Sequence, residues 1–509
     1  MAKMRRTLCI FLSLLMLSAS MASCSDNSSS GKETTPSGGN DTPSQSSSES
    51  ESTEAETVEE RIKPDIPETG DYGDDEILFL YWTNPEWSTT VRESRDIYSD
   101  GVTGEGINDA VYNRNLKIES AYKVKIALEK MNLGEIPGAV RKNITAGDGL
   151  YDVVVPRIAE IPGMITNNML LNLQDVPNID LTKPWYDQNC VSSYTIAGKL
   201  NCVASSLLIN DKDCTAGLTF NKDIQKDVGL EDIYALVKEG TWTFDKLSEL
   251  AEKAGRDTDG DGEITEDDIY GFLGGRDVME SFYYGSGEKL VASTEDGGLA
   301  FAFGQTERSV DAATKVIKMM QQKWFMNHHL IKNTDDIYYR QLFETGHGLF
   351  FWTRLDGITD MRAGEADFGI VPTPKYEESQ ANYYNLVSKH TGGLLTIPKS
   401  TAGAQLEEVT VVLEALTAES HYTLIPEYVE SSLKTKGARD AESGPMVEII
   451  INNRVFDPGY LHDFGGMSSW LLNLGDKDNS GTVASTAEKK VKVTNKAIDK
   501  FIDNLEKSE

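Results

Sequence analysis

Ile77-Leu-Phe-Leu-Tyr-Trp82 is an unbroken apolar run of aromatic and branched residues. A strand that is apolar at every position, rather than at every second one, is buried on both faces, and strands of that kind build parallel sheets. Downstream, Ala110, Val111, Leu116, Ile118 and Ala121 give helical spacing between Asn108 and Tyr122, and Lys123-Val-Lys-Ile-Ala-Leu128 alternates as a second strand. Tyr151-Asp-Val-Val-Val-Pro156 adds a short buried strand closed by a proline. Strand and helix in alternation predict an α/β architecture.

Upstream of this run the chain has a different character. Met1-Ala-Lys-Met-Arg-Arg6 is cationic, Thr7 to Ser18 is apolar, and small residues follow. The apolar run falls short of the ~20 residues of a spanning helix, so residues 1–23 read as a signal peptide. Met21-Ala22-Ser23-Cys24 resembles the bacterial lipobox, with Met where Leu is usual. The resemblance implies that Cys24 is acylated and holds the protein on the outer face of the cell membrane, several acyl chains giving an anchorage that one does not. Ser, Thr, Glu, Gly and Pro dominate from Ser25 to Gly73, and residues 24–74 read as a disordered tether.

About 435 residues follow, enough for two lobes with separate cores. The formal net charge of −32 argues against nucleic acid and against docking on anionic lipid. Outside the signal and the anchor, the cysteines are Cys190, Cys202 and Cys214. They permit one disulfide, with Cys202 and Cys214 the preferred pair, or three free thiols in an anaerobe.

A series of segments then resembles the bacterial extracellular solute-binding family that includes maltose-binding protein. Tyr194-Thr-Ile-Ala-Gly-Lys-Leu200 matches an x-G-K-L turn, an apolar strand is expected over Val203 to Ile209, and Leu218-Thr-Phe-Asn-Lys-Asp223 matches a strand ending in Phe/Tyr-Asn-Lys-Asp. Thr241-Trp-Thr-Phe-Asp-Lys-Leu247, Gln341-Leu-Phe-Glu-Thr-Gly346 and Phe368-Gly-Ile-Val-Pro-Thr-Pro374 follow in the family's order. The same residues have local readings. Thr243 caps a helix over Phe244 to Ala254, with Leu247, Leu250 and Ala251 as its buried stripe. Gly346 and Gly348 end a helix before the strand Leu349-Phe-Phe-Trp352.

The resemblance implies a two-lobed periplasmic-binding-protein-like α/β fold of type II, with a hinge and a ligand cleft between the lobes. Carried over by motif, lobe one takes residues 75–203 and 394–430, and lobe two residues 204–393 and 431–509. It also implies capture of a small solute, a sugar or oligosaccharide first, by hinge closure and its delivery to an ABC permease. A monomer without enzymatic activity or a required cofactor is expected.

Sugar clefts need aromatic faces against the C–H side of the ring and polar groups around its rim. At the end of the first strand stand Trp82, Asn84, Glu86 and Trp87, and Arg157 ends another strand of lobe one. In lobe two the candidates are Tyr283, Tyr284, Trp352, Arg354 and Trp470, the last resembling the family's late cleft-lining tryptophan. Arg354 has an alternative as an ion pair with Asp356. Trp185, Trp242 and Trp324 read as packing residues.

Asp257-Thr-Asp259-Gly-Asp261-Gly262-Glu263 through Asp268 follows the EF-hand loop pattern, oxygens alternating ahead of the glycine of the sharp turn. Asp257, Asp259, Asp261, Glu263 and Asp268 are candidate ligands of a structural Ca2+. A solvated acidic turn is the other reading. A secreted calcium-dependent carbohydrate-active enzyme or a cell-surface adhesin is the rival function. The chain has no H-E-x-x-H, G-x-S-x-G or Walker A sequence and no internal repeat.

Overall fold

The computed structural model describes residues 61–84, 94–295, 297–327, 336–361, 366–433 and 442–507. Cys24, Glu86 and Trp87 lie outside the described residues, as does the tether as far as Glu60. Residues 61–74, expected as the end of that tether, are instead laid on lobe one. Tyr122 Oη donates to Pro67 O at 2.6 Å, Gly70 N donates to Ala121 O at 3.0 Å, and Tyr72 stacks on Tyr122 with ring centroids 6.3 Å apart. The signal was there in Ile66 and Tyr72, both of which pack against the lobe-one core.

β1 (Asp75–Thr83) is the apolar run with which the folded chain opens, and Phe79 to Trp82 are all buried. β2 (Val124–Asn132) and β3 (Val153–Val155) lie on either side of it, both parallel. Between β1 and β2 the helix Gly106–Tyr122 starts where the Glu105 carboxylate accepts from Asn108 N. β3 is flanked on its other side by residues 393–396, running antiparallel through the bridges Arg157↔Gly393 and Val154↔Thr396, and Val203 bridges Leu395 beyond.

Lobe two contains β4 (Ala216–Asn221), β5 (Tyr270–Gly274), the hairpin of β6 (Val291–Ser293) with β7 (Leu299–Phe301), β8 (Phe325–Asn327), β9 (Gly348–Arg354) and β10 (Phe368–Val371). Its sheet runs β10-β4-β9-β5-β8. β8 and β9 are parallel to β5, whereas β4 is antiparallel to β9 and β10 to β4. Both sheets therefore follow one plan. The first parallel strand sits between the next two, and the strand beyond is antiparallel and out of sequence order, residues 393–396 in lobe one and β4 in lobe two.

The sidedness of the elements follows from local chemistry. Thr243 Oγ1 accepts from Lys246 N at 3.3 Å to cap the helix Phe244–Ala254, whose buried face is Phe244, Leu247, Leu250, Ala251 and Ala254. That helix lies so close to β5 that a Cβ on Gly271 would stand 2.1 Å from the Ala251 carbonyl oxygen. Gly346, at φ +86°, turns the chain from the helix Asp336–Glu344 into β9.

Each lobe has its own core. Leu80, Val154, Trp185, Leu208, Leu394 and Leu416 belong to the first, and Leu218, Trp242, Phe272, Phe282, Phe350 and Tyr460 to the second. The chain crosses first through the short helix Asn210–Asp213 and again through residues 387–393, Thr215 bridging Val387. The helix Leu424–Leu433 packs beside Ile107 and Val111 and the helix Ser443–Asn452 reaches the lobe-two core through Met446, after which β12 (Arg454–Val455) pairs in parallel with β11 (Asn385–Leu386) at the crossings. Away from the crossings the lobes also touch, Ala197 N donating to Gly297 O at 3.1 Å and Lys199 Nζ to Leu505 O at 2.7 Å.

The expected strand over Val203 to Ile209 is not one. Val203 bridges Leu395 and Ser205 bridges Tyr186, after which Leu208 N turns back to Ser205 O. The run is apolar because it is enclosed on every side, not because it forms a ladder.

Candidate functional site

In open α/β sheets ligand groups gather past the carboxyl ends of the parallel strands. Here those positions hold Asn84 after β1, Arg157 after β3, Asp277 after β5 and Arg354 at the end of β9. The second crossing draws three of them together. Ile158 N donates to Gly392 O at 2.8 Å and Ala159 N to Lys389 O at 3.0 Å on the lobe-one side. On the other side Ser388 N donates to Cys214 O at 2.9 Å and Leu355 N to Thr215 O at 3.1 Å. Glycine is required in this strip, because a Cβ on Gly393 would stand 2.9 Å from Val155 Cγ1 and 3.0 Å from Trp82 Nε1.

His390, half-buried on this strip, feels the charges of Lys389, Asp277, Arg157 and Arg354. Burial first, then the Lys389 cation, holds its imidazole down at about 4, so it is neutral near pH 7. Lys389 itself points into lobe two. Its Nζ donates to Tyr460 O at 2.7 Å and to Ser468 Oγ at 2.8 Å, and Ser468 Oγ donates on to Glu280 Oε1 at 3.1 Å. Burial raises the Glu280 carboxyl and lowers the Lys389 ammonium, as it does for any pair taken out of water. The strip is thus bonded to both lobes, with one imidazole between three charged strand ends.

Below it the crossings are tied by buried charge. Every residue of Asn210–Asp213 is buried. Lys212 Nζ donates to Leu208 O at 2.8 Å and to Asp211 Oδ1 at 3.2 Å, and Arg454 Nη1 lies 3.4 Å from Asp211 Oδ2. The same guanidinium grips Asp187 of lobe one, its Nε donating at 3.0 Å. Arg95 lies 3.4 Å from Asp213, to which Tyr428 Oη donates at 3.0 Å. Each buried carboxylate thereby has a cation or a hydroxyl against it, as burial of charge requires.

Sequence reasoning placed Arg157 and Arg354 at strand ends of the two lobes, and the charge of both is felt at His390. Arg354 also makes the alternative ion pair, Nε and Nη2 donating to Asp356 at 3.1 and 3.2 Å. Asn84, half-buried, ends β1 as expected. The aromatic candidates are corrected. Trp82 is 1% exposed in the lobe-one core. Tyr283 and Tyr284 are fully buried on the helix Asp277–Gly285, packed on Phe303 and Tyr460. Trp352 is 7% exposed, its Nε1 donating to Ser281 Oγ at 3.0 Å. Trp470 is partly open but packs edge-on against Phe303. Asp277, Lys389 and His390 were missed, since nothing in the sequence around them marks a strand end or a crossing.

Two surface cavities of about 550 and 590 Å3 open on lobe one. The first is lined by Glu76 and Lys125, at the starts of β1 and β2, and the second by Gln174 and Val191. Neither includes the strand ends where the charged groups converge.

No protein-family profile matches the chain, and no curated protein sequence matches it. Solved structures do. A cyclic α-maltosyl-1,6-maltose binding protein from Arthrobacter globiformis superposes with a TM-score of 0.53 at 14% identity, over 85% of this chain and 100% of that one. A cyclo/maltodextrin-binding protein complexed with maltotetraose gives 0.53 at 14%, over 84% and 98%. An ABC substrate-binding protein from Listeria monocytogenes in complex with cycloalternan gives 0.50 at 11%, over 86% and 99%. The fold is that of ABC substrate-binding proteins. It is a type II arrangement of two α/β lobes joined by the crossings described above.

Elsewhere on this binding-protein fold, the acidic loop brings three of its five candidate ligands together. One carboxylate oxygen each from Asp257, Asp259 and Asp261 lies within 4.8 Å of the others. Asp257 also accepts from Gly260 N at 2.6 Å and Gly262 N at 2.7 Å. Glu263 stays exposed outside that group. Asp268 is committed to closing the loop, accepting from Thr258 N at 2.7 Å and Thr265 N at 2.8 Å, and these amides hold its carboxyl down at about 2. The preferred disulfide is absent. Cys190, Cys202 and Cys214 are free, buried thiols. Cys202 lies in the lobe-one core, whereas Cys214 ends the first crossing beside Asn210.

Proposed function

We propose that this protein is an extracytoplasmic substrate-binding lipoprotein that captures a saccharide between its lobes and delivers it to an ABC permease. The convergence at His390 of strand ends from both lobes carries the reading. A ligand seated there touches Arg157 of lobe one and Arg354 of lobe two at once, and so favours the closed state over the open one. No bond in it need be broken, and capture without turnover is the expected chemistry. Acylated Cys24 would hold the protein at the membrane, where the permease is.

The test is a thermal-shift screen against neutral and acidic oligosaccharides, peptides and polyols. A ligand at a hundred times its dissociation constant stabilises the fold by about 2.7 kcal/mol. A saccharide that raises the melting temperature and is recovered intact supports the reading, and its hydrolysis sinks it. Replacing Cys24 by Ala should release the protein from membranes.

The grouping of Asp257, Asp259 and Asp261 supports a second, structural role for the acidic loop as a Ca2+ site in lobe two. Calcium should raise the melting temperature of the wild type and leave that of Asp257→Asn unmoved. An equal rise in both would remove the assignment.

A further inference from the structure

We infer that the saccharide taken up in this cleft carries an anionic group, a carboxylate or a sulfate, and that this group docks on the guanidinium of Arg157. The inference rests on the binding role proposed above and names the class of ligand within it. Arg157 is held in place by its backbone, which bridges Gly393 and accepts from Glu160 N at 2.8 Å. Its side chain is only 23% exposed. The nearest acid is Glu160, whose Oε1 is 3.8 Å from Arg157 Nε, beyond hydrogen-bond reach, and already accepts from Gly134 N at 2.9 Å. Arg157 Nε is enclosed without an acceptor, and among the described residues its terminal nitrogens donate to none.

The other arginines of comparable burial each have an acceptor, although Arg95 Nε and Arg454 Nη1 are, like Arg157 Nε, enclosed without one. Asp213 faces Arg95, Asn115 and Ser420 accept from Arg114, Glu377 and Gln380 from Arg308, and Asp360 from Arg340. Arg354, on the opposite lobe, is held by Asp356. Arg157 thus retains a full set of donors in a place partly withdrawn from water. A planar, two-oxygen anion satisfies such a fork better than a hydroxyl does. Of the acids around it, Asp356 is paired with Arg354, and the neutral imidazole of His390 adds a hydrogen-bonding group without a negative charge. Glu160 and Asp277 remain as negative charges that the guanidinium and the Lys389 cation must outweigh. The overall charge of −32 acts from farther away and is screened over about 8 Å in physiological salt.

The experiment measures binding of three matched probes to the full chain by calorimetry: a neutral galactose trimer, a galacturonate trimer and a sulfated galactose oligomer. Wild type, Arg157→Gln, Arg157→Lys and Arg354→Gln are compared. Binding of the carboxylated or the sulfated probe in preference to the neutral one is expected, and which of the two binds identifies the group. Arg157→Gln should weaken that probe at least about tenfold, with Arg157→Lys in between because it keeps the charge and loses the fork. Variant melting temperatures within a few degrees of wild type show that the fold is intact. A neutral trimer that binds as tightly as its charged counterparts overturns the inference and leaves the binding role standing. So does an acidic probe whose affinity is unchanged in Arg157→Gln. Failure of every saccharide, neutral or charged, removes the binding role and the inference with it.

Discussion

Glu414 is enclosed in lobe one between Trp185, whose Nε1 donates to it at 3.1 Å, and Tyr186, whose hydroxyl donates at 2.5 Å. Burial outweighs these donors and pushes the carboxyl up to about 7. In the unfolded chain it titrates near 4.3, so between those values the folded state holds the proton and the unfolded state does not. Stability from this group is complete below the lower value and is lost as pH rises through the upper one. Glu414→Gln should therefore flatten the fall in urea midpoint between about pH 4.5 and 7, a change on the order of 3 kcal/mol. A slope equal to that of wild type would assign the loss elsewhere. At this scale the sequence was informative where chemistry and position coincide. Arg157 and Arg354 stand at strand ends, and a long charged side chain there has few ways to be buried. Trp82 and Trp352 stand at strand ends too, but alternate residues of a strand face opposite sides, and one register step separates a cleft from a core.

The packing of the helix Phe244–Ala254 on β5 is governed by a missing side chain. Gly271→Ala would drive a methyl into the backbone at Ala251, with 2.1 Å to its oxygen and 2.5 Å to its carbonyl carbon. Backbone cannot rotate away, so a loss of several kcal/mol or a failure to fold is expected on expression and urea unfolding. Gly138 is the contrasting case. It lies exposed in the helix Ile136–Ala146 with nothing within 4 Å of an added Cβ, and Gly138→Ala should raise the midpoint, by up to about 1 kcal/mol. Elements of this kind were readable from spacing and caps. Thr243 and Gly346 mark their helix ends as their chemistry demands, and β1 declares itself by composition. The stretch Val203 to Ile209 was misread because enclosure by segments remote in sequence leaves the same apolar signature as a central strand.

Across the whole molecule the titrating groups pull in opposite directions. Besides Glu414, burial raises Asp213 and Asp457 to about 6, and all three cost stability as pH rises through their folded values. His390 and His462 are held down at about 4 and about 3, so the unfolded chain takes up protons before the folded one as pH falls below the usual histidine value near 6.5. Their contribution is present above that value and is lost toward acid. Over the window the two trends share, three carboxyls outweigh two histidines, so stability is predicted to fall from about pH 4.5 to 7 and level off above, checked by urea midpoints from pH 4.5 to 8.5, and a maximum inside that range would refute it. The two-lobed plan was legible from motif order, but the meeting of Asp277, His390 and the two arginines was not, because it arises only when the crossings bring four distant segments together.

The out-of-order strand in lobe one has a consequence for the making of the protein. β3 leaves the ribosome about 240 residues before its antiparallel neighbour at 393–396, whereas β4 precedes the parallel strands that it will join. The sheet of lobe one is begun first and closed after that of lobe two, and its closure waits on contacts of very long sequence separation, the kind that slow folding most. Any chain released before residue 393 carries β3 with one bare edge, and a bare edge pairs readily with the strands of other unfinished chains.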